Sequence, residues 1–379
     1  MFGETYPHDR APVHQPVSSL VLRLLSRAAV RVTRSWPGVI SWLSRHGPIP
    51  AEVKVLEKVT AAWICQAIAV AAQLGIPDAM SAGPRTAAEI AESLALDPDA
   101  TARLLRVLAS EGLLRLHEGH FALTDLGRAL TKDHPGSLRE LVALCGAEWQ
   151  RAIGGLAGAI RTGECAFEAV HGQPFFDYLA EHRAVQRSFN AGMRAASALA
   201  DATLPLAYDF SRFARVVDVG GGTGALLGTL LQRNPRLQGV LFDLARVCDE
   251  AEQQWAGSAL AERMTFVRGD FRQQVPRGAD LYVLKTILHD WSDSDAITIL
   301  SRCRRAMTDG ARLLVIEHVL EPTPRRQFAQ RLDLLMLTVL GGKERTFAEL
   351  EQLLLAAELR AVRRYPSLSE LALIEVVAA

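Results

Sequence analysis

The residues best able to do chemistry fall in two stretches of the C-terminal half. The first is Asp218-Val219-Gly220-Gly221-Gly222-Thr223-Gly224, which continues the apolar run Val216-Val217. Residues 216–219 read as a short buried parallel strand, and 225–233 as a helix. Glycines at 220, 222 and 224 let the backbone take angles closed to other residues, with no Cβ to hold a ligand off the main chain. Such a loop presents free backbone N–H groups at a helix start. Its spacing, acidic-x-Gly-x-Gly-x-Gly, is not the dinucleotide fingerprint, and no Gly-Lys-Ser/Thr follows it as in a Walker loop. A nucleotide site and a purely structural strand–turn–helix both remain open on this loop alone. The second stretch is Lys285-x-x-x-His289-Asp290-Trp291. A phenol has a pKa near ~10 and an imidazole one near ~6.5, so a histidine is suited to remove a phenolic proton at neutral pH. A lone histidine is ordinarily structural or solvated; this one falls at the mouth of the site that the glycine loop would form.

Further candidates sit at predicted strand ends. Asp243, followed by Leu244, closes the second strand, where a carboxylate accepts both hydroxyls of a ribose or else caps a helix. Asp270 ends the third strand and is placed to accept from an adenine amine, with Phe271 on the ring face. Lys285 reads either as a point charge for a carboxylate or as a surface lysine. Glu317, at the end of the fifth strand, and Glu344 are candidates to orient and polarise His289; by spacing alone each reads as a solvated loop residue. No His/Asp/Glu cluster has the spacing of a cation site, so no metal is expected.

The elements that must hold these residues follow from periodicity. From residue 213 strands over 239–243, 264–270, 281–284 and 312–317 alternate with helices, and 360–365 with 371–377 form a closing antiparallel pair. This is a doubly wound α/β sheet, whose ligands lie beyond the carboxyl ends of the strands. Before it the chain is helical, including 63–74, a Thr86/Glu89 capping box, 100–111 and 185–200. A hairpin over 113–115 and 120–123 completes a winged-helix pattern. Arg103 and Arg106 are offset by Asp97, Asp99 and Glu111, too thin a basic footprint for nucleic acid. The domain division expected is 1–50, 51–205 and 206–379. In the first fifty residues six arginines face two acids. A membrane-surface or partner-binding helix over residues 16–45 competes there with an extra helix packed on a dimer, and the second is preferred.

Composition sets the outer bounds. The 379 residues carry 42 basic and 42 acidic side chains and are 49% hydrophobic, an ordinary globular balance with no pull toward polyanions. Five cysteines without metal or disulfide spacing, no signal-peptide pattern and no apolar run long enough to span a bilayer point to a cytoplasmic protein.

The motifs, taken together and in order, resemble the caffeate/hydroxyindole type of S-adenosylmethionine (SAM)-dependent O-methyltransferase. They are residues 218–224, Phe242-Asp243-Leu244, Gly269-Asp270-Phe271, Lys285-x-x-x-His289-Asp290-Trp291, Glu317 and Gly342-Lys343-Glu344-Arg345-Thr346. The resemblance runs from about residue 51 to the end. It implies a Rossmann-like SAM domain behind an all-helical, winged-helix-like dimerisation domain, hence a homodimer, with S-adenosylhomocysteine as product and no metal. By resemblance His289 is the catalytic base with Glu317 and Glu344 flanking it. Asp218, Gly220, Gly221, Gly222, Gly224, Asp243, Leu244, Asp270, Phe271 and Lys285 would hold SAM, and Ser197 of Phe189-Asn190-x-x-Met193-x-x-x-Ser197 would close over it. Trp149, Phe176, Met193, Asp290, Met336 and Leu340 would line the site of an apolar, ring-containing acceptor. Within the family, hydroxylation, C-methylation and pericyclic chemistry are known departures; a SAM-sensing DNA-binding regulator is a more distant alternative.

Overall fold

The computed structural model describes residues 51–323 and 327–379. The chain divides into two compact units, Met1–Ala62 and Trp63–Ala379. Of the first, the described part is the start of the helix Ala51–Gln73, where Val53, Val55, Leu56 and Val59 are exposed. The basic extension anticipated over residues 1–50 lies outside the described residues. Farther along the same helix, Ala69, Ala71 and Ala72 are buried while Trp63 is 71% exposed. Small side chains inward and large ones outward is the reverse of a core helix, and leaves an apolar face to be covered. Among the described residues it is also the one helix long and apolar enough, by length and composition, to cross a bilayer. Thr60 and Gln66 interrupt its apolar run, so the expectation that no continuous apolar run spans a bilayer stands.

The segment that follows is helical around the expected hairpin. It carries a three-stranded sheet, β1 (Arg85–Thr86), β2 (Leu114–His117) and β3 (His120–Leu123), in the order β1-β3-β2. Glu118 and Gly119, both at positive φ, make the tight turn that joins β2 to β3. The Thr86 hydroxyl accepts from the Glu89 amide and the Glu89 carboxylate from the Thr86 amide, so the helix Ala87–Leu94 starts on the expected capping box. Ile76, Ile90, Leu105, Leu108, Leu113 and Phe121 form the core beneath.

The second sheet comprises β4 (Arg215–Val219), β5 (Gln238–Asp243), β6 (Met264–Arg268), β7 (Leu281–Lys285), β8 (Arg312–Leu320), β9 (Arg345–Thr346), β10 (Leu359–Pro366) and β11 (Leu371–Ala378). Its order is β10-β11-β8-β7-β4-β5-β6, with β9 pairing β8. Strands β4 to β8 run parallel, and β11 and β10 close the edge antiparallel. Alternate side chains go to opposite faces. Val217, Phe242, Tyr282 and Val315 pack against Ile299, Leu300 and Leu353 on one side. Val216, Leu241, Val283 and Ile316 pack against Leu204, Leu227 and Leu230 on the other. Each such buried Leu or Phe contributes about 1.5–3 kcal/mol. Strand order reverses between β4 and β7, so a crevice opens at their carboxyl ends. Over its second face lies the helix Arg183–Ala207, which runs past Pro205 and beyond the expected end at residue 200. The lost proline N–H affects only the last turn, where buried Leu204 anchors the helix.

Candidate active site

Between β4 and the helix Ala225–Arg233 the chain turns through Gly220, Gly222 and Gly224, all at positive φ. A Cβ on Gly220 would meet the Ile287 side chain at 2.6 Å, and one on Gly221 would meet Leu241 at 2.5 Å. On Gly222 it would meet no protein atom within 4 Å, so that side of the loop is open. Asp243, at the end of β5, accepts from the Gly222 amide at 2.9 Å and from the Leu244 amide at 2.7 Å. Burial raises its pKa against the pull of those two amides. Trp255 braces the loop from outside, its indole N–H donating to Thr223 O at 2.8 Å. No sequence motif marks Trp255.

Three charged side chains meet beside this loop. Lys285, the last residue of β7 rather than the first beyond it, pairs with Asp201 of the long helix. Asp218 lies buried next to them, and its pKa is pushed up to about 7: burial dominates, Lys285 opposes it, and Asp201 and Asp243 add to it. One oxygen of Asp201 and one of Asp218, both buried, have no hydrogen-bond partner. Two orphaned acceptors beside an open glycine cradle fit a ligand that brings an ammonium group, as the methionine end of SAM does. Ser197 lies one turn before Asp201 on the same helix. At the other end of the crevice Asp270 accepts from Arg272 and Gln273. Burial opposes its charge, but the Arg272 bonds hold its pKa below the usual range. Phe271 packs edge-on to Trp291, ring centres 5.9 Å apart.

His289 sits in a single tight turn, Leu288–Asp290, which Thr286 and Ile287 join to β7. Its Nδ1 lies 2.6 Å from Glu344 Oε1, and its Nε2 lies 3.3 Å from Asp290 Oδ1. Burial works against a charge on the ring, yet the carboxylates of Asp290, Glu317 and Glu344 outweigh it and raise its pKa to about 10. Burial likewise lifts Glu317 to about 7 and Asp290 to about 6. Glu317 acts on the imidazole by charge and makes no hydrogen bond to it. Its Oε1 accepts instead from the amides of Ile287 and Leu288, at 3.0 and 2.8 Å, and so holds the loop that carries the ring. Potential ligand atoms of His289, Glu317 and Glu344 lie within 4.8 Å of one another, a convergence that sequence spacing concealed. The 2.6 Å contact suits a shared proton better than a shared ion, since two donors each about 2.0–2.2 Å from one metal at a tetrahedral angle stand more than about 3 Å apart.

Over the mouth of the crevice lies an aromatic and aliphatic cluster. Trp149, Phe175 and Val339 are buried in it, with Phe176, Phe189, Met193 and Leu340 partly buried. Phe176 stacks on Trp291 at 6.0 Å, which joins this cluster to the histidine loop. Met336 and Leu340 begin and end a widened π-helical turn closed by Gly341; Met336 is buried but lies outside the cluster. Arg345, which carried no expected role, is fully buried and bonds the backbone on either side of His289.

The chain matches the family models of an O-methyltransferase dimerisation domain over residues 56–133 and an O-methyltransferase domain over residues 154–360. It is 36% identical over 333 residues to a phenazine O-methyltransferase of Lysobacter antibioticus, covering 88% of this chain and 98% of that one. The structure of LaPhzM superposes with a TM-score of 0.85 at 35% identity, over 87% of this chain and 100% of that one. An O-methyltransferase of neocarzinostatin biosynthesis, NcsB1, solved with SAM and 2-hydroxy-5-methyl naphthoic acid, matches at TM-score 0.74 and 36% identity, over 83% of this chain and 96% of that one. The exposed apolar face of the helix Ala51–Gln73 thus falls largely within a dimerisation domain, and the crevice at the glycine loop within a methyltransferase domain. The chain belongs to the family of SAM-dependent O-methyltransferases.

Proposed function

We propose that this enzyme methylates a phenolic hydroxyl of a small, largely apolar, ring-containing acceptor, with His289 as general base. The observation that carries the reading is the 2.6 Å bond from His289 Nδ1 to Glu344, which leaves Nε2 as the nitrogen able to take a proton. When bound, SAM supplies a sulfonium methyl already activated for displacement, so the protein's tasks are positioning, proton removal and exclusion of water. Gly220, Gly221, Gly222 and Gly224, with Asp243, Asp218, Leu244, Asp270, Phe271, Lys285 and Ser197, are the residues we assign to holding it. Trp149, Phe176, Met193, Asp290, Met336 and Leu340 line the acceptor. The acceptor oxygen loses its proton to Nε2 as it gains the methyl, and Glu344 stabilises the imidazolium that forms. Because the ring's pKa is raised to about 10, only its neutral fraction can act, and turnover should rise with pH through the alkaline range. We further propose a cytoplasmic homodimer covering the apolar helix, with the domain boundary near residues 205–206.

The test is His289→Ala, assayed on hydroxynaphthoates and hydroxyphenazines by product mass. We expect turnover to fall by ~10²-fold or more while calorimetric binding of S-adenosylhomocysteine stays within about twofold. Retained turnover would sink the base assignment. A wild-type product isomeric with its substrate, rather than heavier by one methylene, would rule out transfer.

A further inference from the structure

We propose that Arg345 is a positioning residue for catalysis, gripping the carbonyls on either side of His289 while Asp293 anchors it. This rests on the reading of His289 as the base. Arg345 is 2% exposed and is among the largest fully buried side chains of the protein. Its guanidinium donates to Leu288 O at 2.7 Å and to Trp291 O at 2.8 Å, the two carbonyls that bracket His289-Asp290. Nε donates to Asp293 Oδ1 at 2.9 Å, a carboxylate in the first turn of the helix Asp293–Ala306 that also pairs with Lys343.

A buried guanidinium is tolerated only where its donors are met, and here they are met by the loop that carries the base. Arg345 and Glu317 divide the work by charge. The carboxylate takes the amides of Ile287 and Leu288, and the guanidinium takes the carbonyls of Leu288 and Trp291. Both residues come from neighbouring strands, since Arg345 on β9 lies opposite Val319 on β8. Gly342 presses on the same loop: a Cβ there would stand 2.0 Å from His289 O, so only glycine lets the strap lie this close. The backbone from 287 to 291 is therefore held from both sides by buried opposite charges. The imidazole inherits that fixity. A planar fork reaches two carbonyls and a carboxylate at once; a lysine ammonium cannot span all three.

The experiment compares Arg345→Lys and Asp293→Asn in the full-length protein. We expect kcat to fall ~10-fold or more for Arg345→Lys, and less for Asp293→Asn, with acceptor KM and S-adenosylhomocysteine affinity within about twofold. Hydrogen–deuterium exchange should accelerate in the peptide covering residues 286–292 and not across β4 or β5. The double variant with His289→Ala should be no slower than His289→Ala alone. Unchanged exchange in both variants overturns the clamp. Faster exchange with unchanged kcat overturns its catalytic purpose, as does a fully additive loss in the double variant. If His289→Ala itself leaves turnover intact, the base reading fails, and loop exchange alone then judges the clamp. Should Arg345→Lys not fold, Asp293→Asn carries the same measurements, its side chain being half exposed.

Discussion

Two buried charge clusters stand a short loop apart, and they are finished to different degrees. Around His289, most charges have a hydrogen-bonded partner that fixes geometry: Glu344 on the ring, Glu317 on two amides, Arg345 on two carbonyls. Around Asp218, the Lys285–Asp201 pair closes part of the site, but Asp201 and Asp218 each keep a buried oxygen with no donor. Buried acceptors without donors are unfavourable, and Glu317 and Glu344 of the first cluster also keep one such oxygen each. What differs is the anchoring: Glu317 and Glu344 each bond the histidine loop or its ring through their other oxygen, whereas Asp218 is set by burial and neighbouring charges. On the proposed function, the more firmly anchored cluster supplies the base and the other meets the cofactor.

The largest expected effect tests the first cluster. Glu344→Gln keeps an oxygen near Nδ1 but removes one of the charges that raise the ring's pKa toward 10. A base works when deprotonated, so a raised pKa places the rising limb of the pH–rate profile on the alkaline side. Losing the Glu344 charge lowers the pKa and should move that limb to lower pH, while kcat at its plateau falls about 10- to 100-fold. A profile that stays in place would mean that the cluster does not set the proton affinity of the acting base.

The same contrast marks how far the sequence could be read. The glycine loop, β4 and the helix Ala225–Arg233 were legible because apolar period and glycine spacing are local signals. The places of Asp243, at the end of β5, and of His289, in the loop after β7, were legible from the strand pattern. What escaped were partnerships made by topology. Lys285 meets Asp201 from 84 residues away, and an acid on an amphipathic helix looks solvated until the helix lies across the strand ends. Arg345 sits in Gly-Lys-Glu-Arg-Thr, which reads as a charged loop, yet β9 pairing beside β8 turns it inward. Glu317 was found as a residue but its target was not, because strand register decides whether a carboxylate faces a ring or an amide. Of the wing's strands the hairpin was legible, and only the two-residue β1 was too short for periodicity to mark.

A middling effect is expected at the cradle. Asp243→Asn should weaken S-adenosylhomocysteine binding about tenfold or more in calorimetry, since charge-assisted hydrogen bonds contribute about 1.5–3 kcal/mol. Single-turnover chemistry at saturating SAM should change little. Equal losses in both would blur the division between the two clusters.

Asp218→Asn carries the smallest effect and the sharpest sign. Its folded pKa, near 7, lies above the ordinary value of 3.8, so the native state prefers the neutral carboxyl. Such a group contributes stability in full below its unfolded pKa and loses it as pH rises through the folded one. The wild-type protein should therefore weaken between about pH 4 and 7, whereas the amide, uncharged throughout, should not follow. At pH 8 the variant's Tm is expected a few degrees higher without ligand, while at pH 4 the two proteins should differ little. If the orphaned Asp218 oxygen is there for the cofactor's ammonium, S-adenosylhomocysteine should then raise the variant's Tm by less than it raises the wild type's. A variant more stable alone and less stabilised by ligand is what an unfinished cluster predicts; one unchanged in both respects would make Asp218 an ordinary buried acid.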